Sequence, residues 1–266
     1  MVLRLSQGMV DIPMLSLDST YVALSETSTS KGTQQKWYGN NSYVKRDMLG
    51  YESMSEVLIS HLLEFTEFVI DLPHVVYQQV QLMEGGKTIG VGCISKDFKK
   101  VGEDDITIGR ILEHTFMPFS IKYEELIDLL DEVLDLESRS YIDSLLYLDS
   151  IVLNEDRHFH NIAFLKDSLT GKYRPAPIFD NGLALLSDTI SYPLSGEYKE
   201  EILSVRAKPF YTDFKRQIGL CAKYNKPVID YAGFLQSVEG DWESCRAFQV
   251  LKYQLQVMEG ISWIRR

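Results

Sequence analysis

Cysteine is scarce in this chain. Cys93, Cys221 and Cys245 are the only three, far apart and with no Cys-x-x-Cys pair. A disulfide scaffold or a structural zinc site needs more thiols, closer together, so these are expected to be reduced and mostly buried, in a cytoplasmic protein. Long apolar runs are also missing, since none approaches the ~18 residues of a membrane span. Residues 1–8 lack the continuous apolar segment of a secretory signal. A basic surplus is missing too: 27 Lys and Arg stand against 38 Asp and Glu, for a net charge of −11. Proteins that coat nucleic acid neutralise its phosphates with such a surplus, and anionic lipid attracts the same residues. Neither nucleic acid nor a membrane is therefore an expected partner.

What is present is an ordinary globular mixture, 45% hydrophobic and 24% charged over 266 residues. That length suits one large domain or two fused lobes. A polar, hydroxyl-rich stretch at 25–36 lies between β-favouring flanks at 20–24 and 36–45, the pattern of a hairpin with a polar tip. Residues 52–68 space Val57, Leu58, Leu62, Phe65 and Phe68 as a helix, with Ser53 and Ser55 as cap candidates. Strands are expected at 75–83 and 88–95 around a turn at 84–87. Residues 123–153 read as strongly helical, the acidic residues forming a solvated opposite face. Two short strands, 156–165 and 173–180, flank a turn at 166–171, and the remainder has a mostly helical period. The expectation is an α+β chain with a small β-rich N-lobe, residues 1–90, and a larger, mostly helical C-lobe, residues 91–266.

Chemistry concentrates in two segments. Asp156, Arg157, His158 and Asn161 crowd together between apolar flanks, and Asp180 follows inside Pro177-Ile-Phe-Asp-Asn-Gly182. An acid, an amide five positions later and a second acid after an apolar pair suit nucleotide–metal chemistry. Mg²⁺ takes hard oxygen ligands, and nucleotide phosphates fill the sites that a carboxylate and an amide leave open. Phosphoryl transfer needs a further acid near the attacking hydroxyl and cations on the phosphates. Either segment alone would also serve as a polar turn.

Together the segments carry a resemblance. Asp-x4-Asn has the spacing of a protein-kinase catalytic loop, and Phe-Asp-Asn-Gly is similar to a metal-binding Asp-Phe-Gly in altered form. The order Asp156-Arg-His-x-x-Asn161-Ile162 resembles the catalytic loop of phosphatidylinositol 3/4-kinases and of HipA-like bacterial serine/threonine kinases. Gly32-Thr-Gln-Gln-Lys36 resembles the phosphate-binding loop of the HipA-like group. Tyr43-Val-Lys45, followed by a helix opening at Glu52 and Glu56, resembles its lysine strand and acidic helix. The resemblance runs from about residue 25 to 186. It is nearer to the short, stand-alone members, because there is no room for an extra N-terminal subdomain.

The resemblance implies a two-lobed kinase-like fold that binds ATP and Mg²⁺ in the cleft and phosphorylates a protein substrate. Asp156 would accept or orient the proton of the attacking hydroxyl, and Asn161 and Asp180 would hold Mg²⁺. Lys45 would clamp the phosphates, oriented by Glu56 or alternatively Glu52. His158 would support the loop or serve as a structural histidine; His160 has no counterpart. Arg157 would pair with a carboxylate or a phosphate. Lys36 and Ser28 are expected near the phosphates, in the 25–35 loop whose amides could cradle them. Autophosphorylation at Ser25 or Ser28 is a further implication. Lys208, Lys215 and Arg216 could contact substrate. The alternatives are a nucleotide-binding pseudokinase and a phosphoinositide-type lipid kinase.

Overall fold

The computed structural model describes residues 12–24, 34–238 and 244–258, and the backbone alone of 3–5, 28–29, 32–33, 239–240 and 264–265. A six-stranded sheet organises the N-lobe: β1 (Met14–Ser16), β2 (Val22–Ala23), β3 (Lys36–Gly39), β4 (Ser42–Arg46), β5 (Tyr77–Glu84) and β6 (Lys87–Lys96). Its spatial order is β1-β5-β6-β4-β3-β2, with β1 parallel to β5 and every other pair antiparallel. Residues 36–39 form a flank of the expected hairpin, and 42–46 fold back on them as a second one. Asn40 and Asn41 both take left-handed backbone, φ 50° and 54°, the conformation a two-residue hairpin turn requires and asparagine tolerates. The expected hairpin partner survives, because β2 pairs with β3. Within the polar tip, Ser28–Thr29 pairs with Gly32–Thr33. Ser25 lies outside the described residues, as does the side chain of Ser28.

Helix α1 (Glu52–Leu63) stops earlier than its apolar period suggested. Residues 66–67 form a short strand pairing with Val228–Asp230. Neither Ser53 nor Ser55 caps α1. Asp47 does so from outside, accepting the Ser53 N–H at 2.7 Å and the Ser53 hydroxyl at 2.6 Å. The carboxylates of Asp47 and of Glu52 in the first turn both suit the positive pole of the helix. Val57 packs with Val75, Tyr77 and Cys93 under the sheet, while Leu58, Ile59, Leu62 and Leu63 belong to the main C-lobe core. The expected lobe boundary at 90/91 falls inside β6, so the chain leaves the sheet at Lys96.

In the C-lobe, β7 (Glu103–Thr107), β8 (Ala163–Asp167) and β9 (Tyr173–Pro175) make a small antiparallel sheet. The long helical stretch is two helices, α3 (Tyr123–Leu134) and α4 (Arg139–Val152), preceded by α2 (Ile108–His114). The break follows Asp135, whose φ of 50° ends α3. Glu124, Glu125, Asp128 and Glu132 are solvated as expected, but Asp143 and Asp149 are completely buried. Asp143 accepts from the Tyr123 hydroxyl, Ala222 N and Asn225 Nδ2. Beyond β9 the chain is less helical than its period suggested, with irregular chain, short turns of helix and one longer helix at Arg246–Met258. Among the described residues no helix is long and apolar enough to cross a membrane.

Burial pushes the Asp47 carboxyl up to about 7, helped by the charge of Glu52 and opposed by its bonds to Ser53. The folded state thus binds this proton more tightly than the unfolded chain, and stability is lost as pH rises from about 4 to about 7. Asp47→Asn should be more stable than wild type above pH 7, on the order of 2 kcal/mol. That advantage should fade toward pH 4, as read by urea denaturation across the range.

Candidate active site

Lys45 lies on β4 directly opposite Lys36 on β3, so both side chains project from one face of the sheet toward the C-lobe. Like charges directly opposed in a sheet are destabilising; here acids facing them offset the repulsion. Lys45 Nζ is 2.7 Å from Glu56 Oε1 and 2.7 Å from Asp180 Oδ1. It also sits 5.3 Å from the centre of the Tyr77 ring. Lys36 Nζ is 3.7 Å from the other Asp180 oxygen. Burial works against the charge on Lys45, but Asp180 and Glu56 raise its pKa well above that of an ordinary lysine. Burial likewise works against ionised Asp180, yet Lys36 and Lys45 hold it far below the usual carboxylate range. For Glu56 burial wins and the pKa is raised.

Glu56 therefore stands beside Lys45, one turn further along α1 than Glu52. The Glu52 carboxylate turns back instead, accepting the N–H groups of Met48, Leu49 and Gly50 at 2.9, 2.7 and 2.9 Å.

Asp180 is delivered by a backbone splice. Ile178 N donates to Pro73 O at 2.8 Å, and Val75 N donates to Ile178 O at 2.9 Å. These bonds tie the stretch before Phe179 to the chain entering β5. Asp180 then takes a left-handed φ of 57°, uncommon for a residue with a side chain and concentrated at functional sites.

The segment after α4 is irregular through residue 158, then one turn of 3₁₀ helix at Phe159–Asn161; no strand forms before Ala163. Arg157 explains why. Its guanidinium, 1% exposed, is committed inward. Nε lies 3.0 Å from Asp149 Oδ2, Nη2 reaches Asp149 Oδ1 at 3.0 Å and Asn181 Oδ1 at 2.7 Å, and Nη1 donates to the carbonyls of Asn161 and Phe179 at 3.0 and 3.1 Å. Arg157 thus pairs with a carboxylate.

Around it, Asp156 Oδ1 is 3.1 Å from Lys208 Nζ, and Asp156 Oδ2 is 3.7 Å from His158 Nε2. Burial lowers the His158 pKa, against the pull of Asp156. Asn161 Nδ2 donates to Asp156 O at 3.0 Å. His160 lies at the mouth, 3.4 Å from Thr107 Oγ1. Gly109 makes room for it, since a Cβ there would come within 2.3 Å of the imidazole.

Between the lobes lies a cavity of about 310 Å³. Lys36, Lys45 and Asp180 line it, and Phe98 and Phe179 stack near it with ring centres 5.6 Å apart. It therefore has a cationic side and an aromatic side. The structure brings Lys36, Lys45, Glu56 and Asp180 into direct contact, and Asp156, His158 and Asn161 into one loop. Asp149, Asn181, Phe98 and Phe179 were not singled out from sequence. Only Asn181 and Phe179 carried a signal, as neighbours of Asp180. Lys215 and Arg216 are exposed, with Arg216 stacked over Tyr211 at 4.3 Å.

Asp180 and Asn161 suit a hard divalent cation. The Asn161 amide nitrogen is spent on the Asp156 carbonyl, which leaves its oxygen as the ligand atom. One carboxylate and one amide do not complete a coordination shell, so phosphate oxygens and water would have to supply the rest. Among the described residues no group of three or more His, Cys, Asp or Glu side chains is arranged for a metal.

A small curled sheet, a helical lobe and a cleft between them make a fold similar to that of a solved kinase. The Helicobacter pylori proinflammatory kinase CtkA superposes with a TM-score of 0.54 at 15% identity, over 96% of this chain and 89% of that one. The HipA of the Shewanella oneidensis MR-1 HipA, HipB and operator DNA complex gives 0.45 at 14% identity, over 95% of this chain and 65% of that one. No family model matches the chain, and no curated protein does.

Arg157→Met should leave Asp149 buried without a counter-charge and cost about 3–5 kcal/mol. Removing both charges together, as Asp149→Leu with Arg157→Met, should cost less than the two single changes summed. Denaturant titration of the four proteins measures the coupling.

Proposed function

We propose that the chain is an ATP-dependent kinase that phosphorylates serine or threonine hydroxyls of a protein. The observation that carries this reading is Lys45, held 2.7 Å from both Glu56 and Asp180 at one side of the interlobe cavity. A buried ammonium between two acids, with a second lysine beside it, is a device for polyanions. The nucleobase fits the aromatic side near Phe98 and Phe179, and the phosphates fit Lys45 and Lys36.

In the transfer, the acceptor oxygen forms a bond to the γ-phosphorus. The bond from that phosphorus to the β,γ-bridging oxygen breaks, its electron pair leaving on ADP. Asp156 takes the hydroxyl proton, acting chiefly by position. A Mg²⁺ ion, held by Asp180 and the Asn161 oxygen, would neutralise phosphate charge when bound. His158 Nε2 lies 3.7 Å from Asp156 Oδ2, the oxygen that takes the proton, and supports its orientation. Ser25 and Ser28, just ahead of Lys36 in sequence, are candidate acceptors within the chain. A phosphate there would add close to two negative charges and compete for Lys36.

The test is transfer of label from γ-³²P-ATP with Mg²⁺ to the chain itself, to dephosphorylated casein and to phosphoinositide vesicles. Transfer to protein is expected, with Asp156→Asn and Asp180→Ala each reducing it at least ~10²-fold. Label in lipid alone would redirect the reading to a lipid kinase. Nucleotide binding without any transfer would leave a pseudokinase. ATP with Mg²⁺ at ~100 times its Kd should also stabilise the fold by roughly 2.7 kcal/mol. An unmoved melting temperature at that concentration would remove the nucleotide from the account.

A further inference from the structure

The catalytic loop carries one arginine, and it faces away from the chemistry. All of Arg157's donors are consumed by Asp149, Asn181 and two backbone carbonyls. Lys45 and Lys36 approach the cleft from the sheet side. On the C-lobe side, the cation in contact with Asp156 comes from a remote segment: Lys208 Nζ is 3.1 Å from Asp156 Oδ1.

That segment is built to hold its lysine. Gln217, fully buried on the short helix Phe214–Ile218, donates to the Lys208 carbonyl at 2.6 Å. Its oxygen accepts the N–H groups of Phe210 and Tyr211 at 3.1 and 3.3 Å. Ala207 N closes the loop onto Thr212 O at 3.0 Å. The Phe210 ring meets Phe159 of the catalytic loop edge-on at 5.7 Å and Tyr123 at 5.3 Å. One amide therefore fixes the backbone from Lys208 to Tyr211, and an aromatic contact locks it to the loop that carries Asp156. The Lys208 side chain remains 35% exposed while it holds the buried Asp156.

We propose that Lys208 is a catalytic residue, the C-lobe cation of the phosphoryl transfer. Before transfer it holds one oxygen of Asp156, so that the carboxylate presents the other to the acceptor hydroxyl. As the acceptor oxygen bonds to the γ-phosphorus and the electron pair of the breaking bond leaves on ADP, Asp156 gains the proton and loses its charge. Lys208 stays protonated and its partner becomes the transferred phosphoryl group. Preorganised charge of this kind acts where negative charge develops. Gln217 is a positioning residue in this scheme. The proposal rests on the chain being a phosphotransferase.

Initial rates with γ-³²P-ATP, Mg²⁺ and dephosphorylated casein test it, with fluorescent ATP-analogue binding and melting temperature measured alongside. Lys208→Met should lower kcat by about 10²-fold, with KM for ATP and analogue binding changed less than ~3-fold and the melting temperature kept. Lys208→Arg should retain at least ~10-fold more activity than the methionine variant. Gln217→Met should slow the wild type yet add nothing in the Lys208→Met background, a non-additivity that separate structural damage would not give. An unchanged or increased kcat in Lys208→Met overturns the proposal while the kinase reading stands. So does a loss matched by a fallen melting temperature that Lys208→Arg fails to rescue. A wild type silent towards every acceptor overturns both, and is told apart because it needs no variant.

Discussion

The site depends on the buried ion pair between Arg157 and Asp149. An arginine and a carboxylate with at most 1% exposure are costly to desolvate, and only a geometry that satisfies nearly every donor recovers that cost. Arg157 meets the condition by joining α4, the loop that follows it and the segment 179–181. The linkage continues outward. Asn181 accepts from Arg157 and passes its own N–H to Glu56 Oε2 at 2.9 Å, and Glu56 in turn holds Lys45. A continuous run of charge-assisted bonds thus leads from the core of the helical lobe to the lysine of the sheet. Lysine could not replace the arginine here, because its compact ammonium lacks the planar fork that reaches three segments at once.

The electrostatics are local and run against the whole. A chain with net charge −11 gathers Lys36 and Lys45 at one side of the cleft. These two lysines sit opposite each other in the sheet, at a cost to its stability, and Asp180 takes a left-handed backbone to face both. Such local conflicts mark places where a sequence serves something other than folding.

Much of this was legible in the sequence. The Asp156-to-Asn161 spacing, the Asp180 segment and Lys45 stood out because their chemistry is local and their flanks apolar. Distinguishing Glu56 from Glu52 needed the structure: both lie at the start of one helix, and what separates them is that the chain before α1 curls within reach of Glu52. Asp149 was hidden by its context. An acid in an amphipathic helix reads as solvated, and its partner lies beyond the helix, in the loop that the pair itself shapes. Lys208 was read as a cation that could contact substrate; its link to Asp156 crosses irregular chain that has no period to follow. The excess helix expected beyond residue 180 has a similar origin, since that chain is held by loop bonds such as those of Asp188 and Gln217.

Helix α1 has a mechanical consequence. All of its residues but Met54 are buried, and Leu58, Ile59 and Leu62 are fully enclosed in the core of the larger lobe. Swinging this helix outward to part Glu56 from Lys45 would bring several such side chains into water, at about 1.5–3 kcal/mol each. The helix therefore acts as a fixed axle. The acid it carries stays with the lobe behind, and Val57 of the same helix packs beneath the sheet.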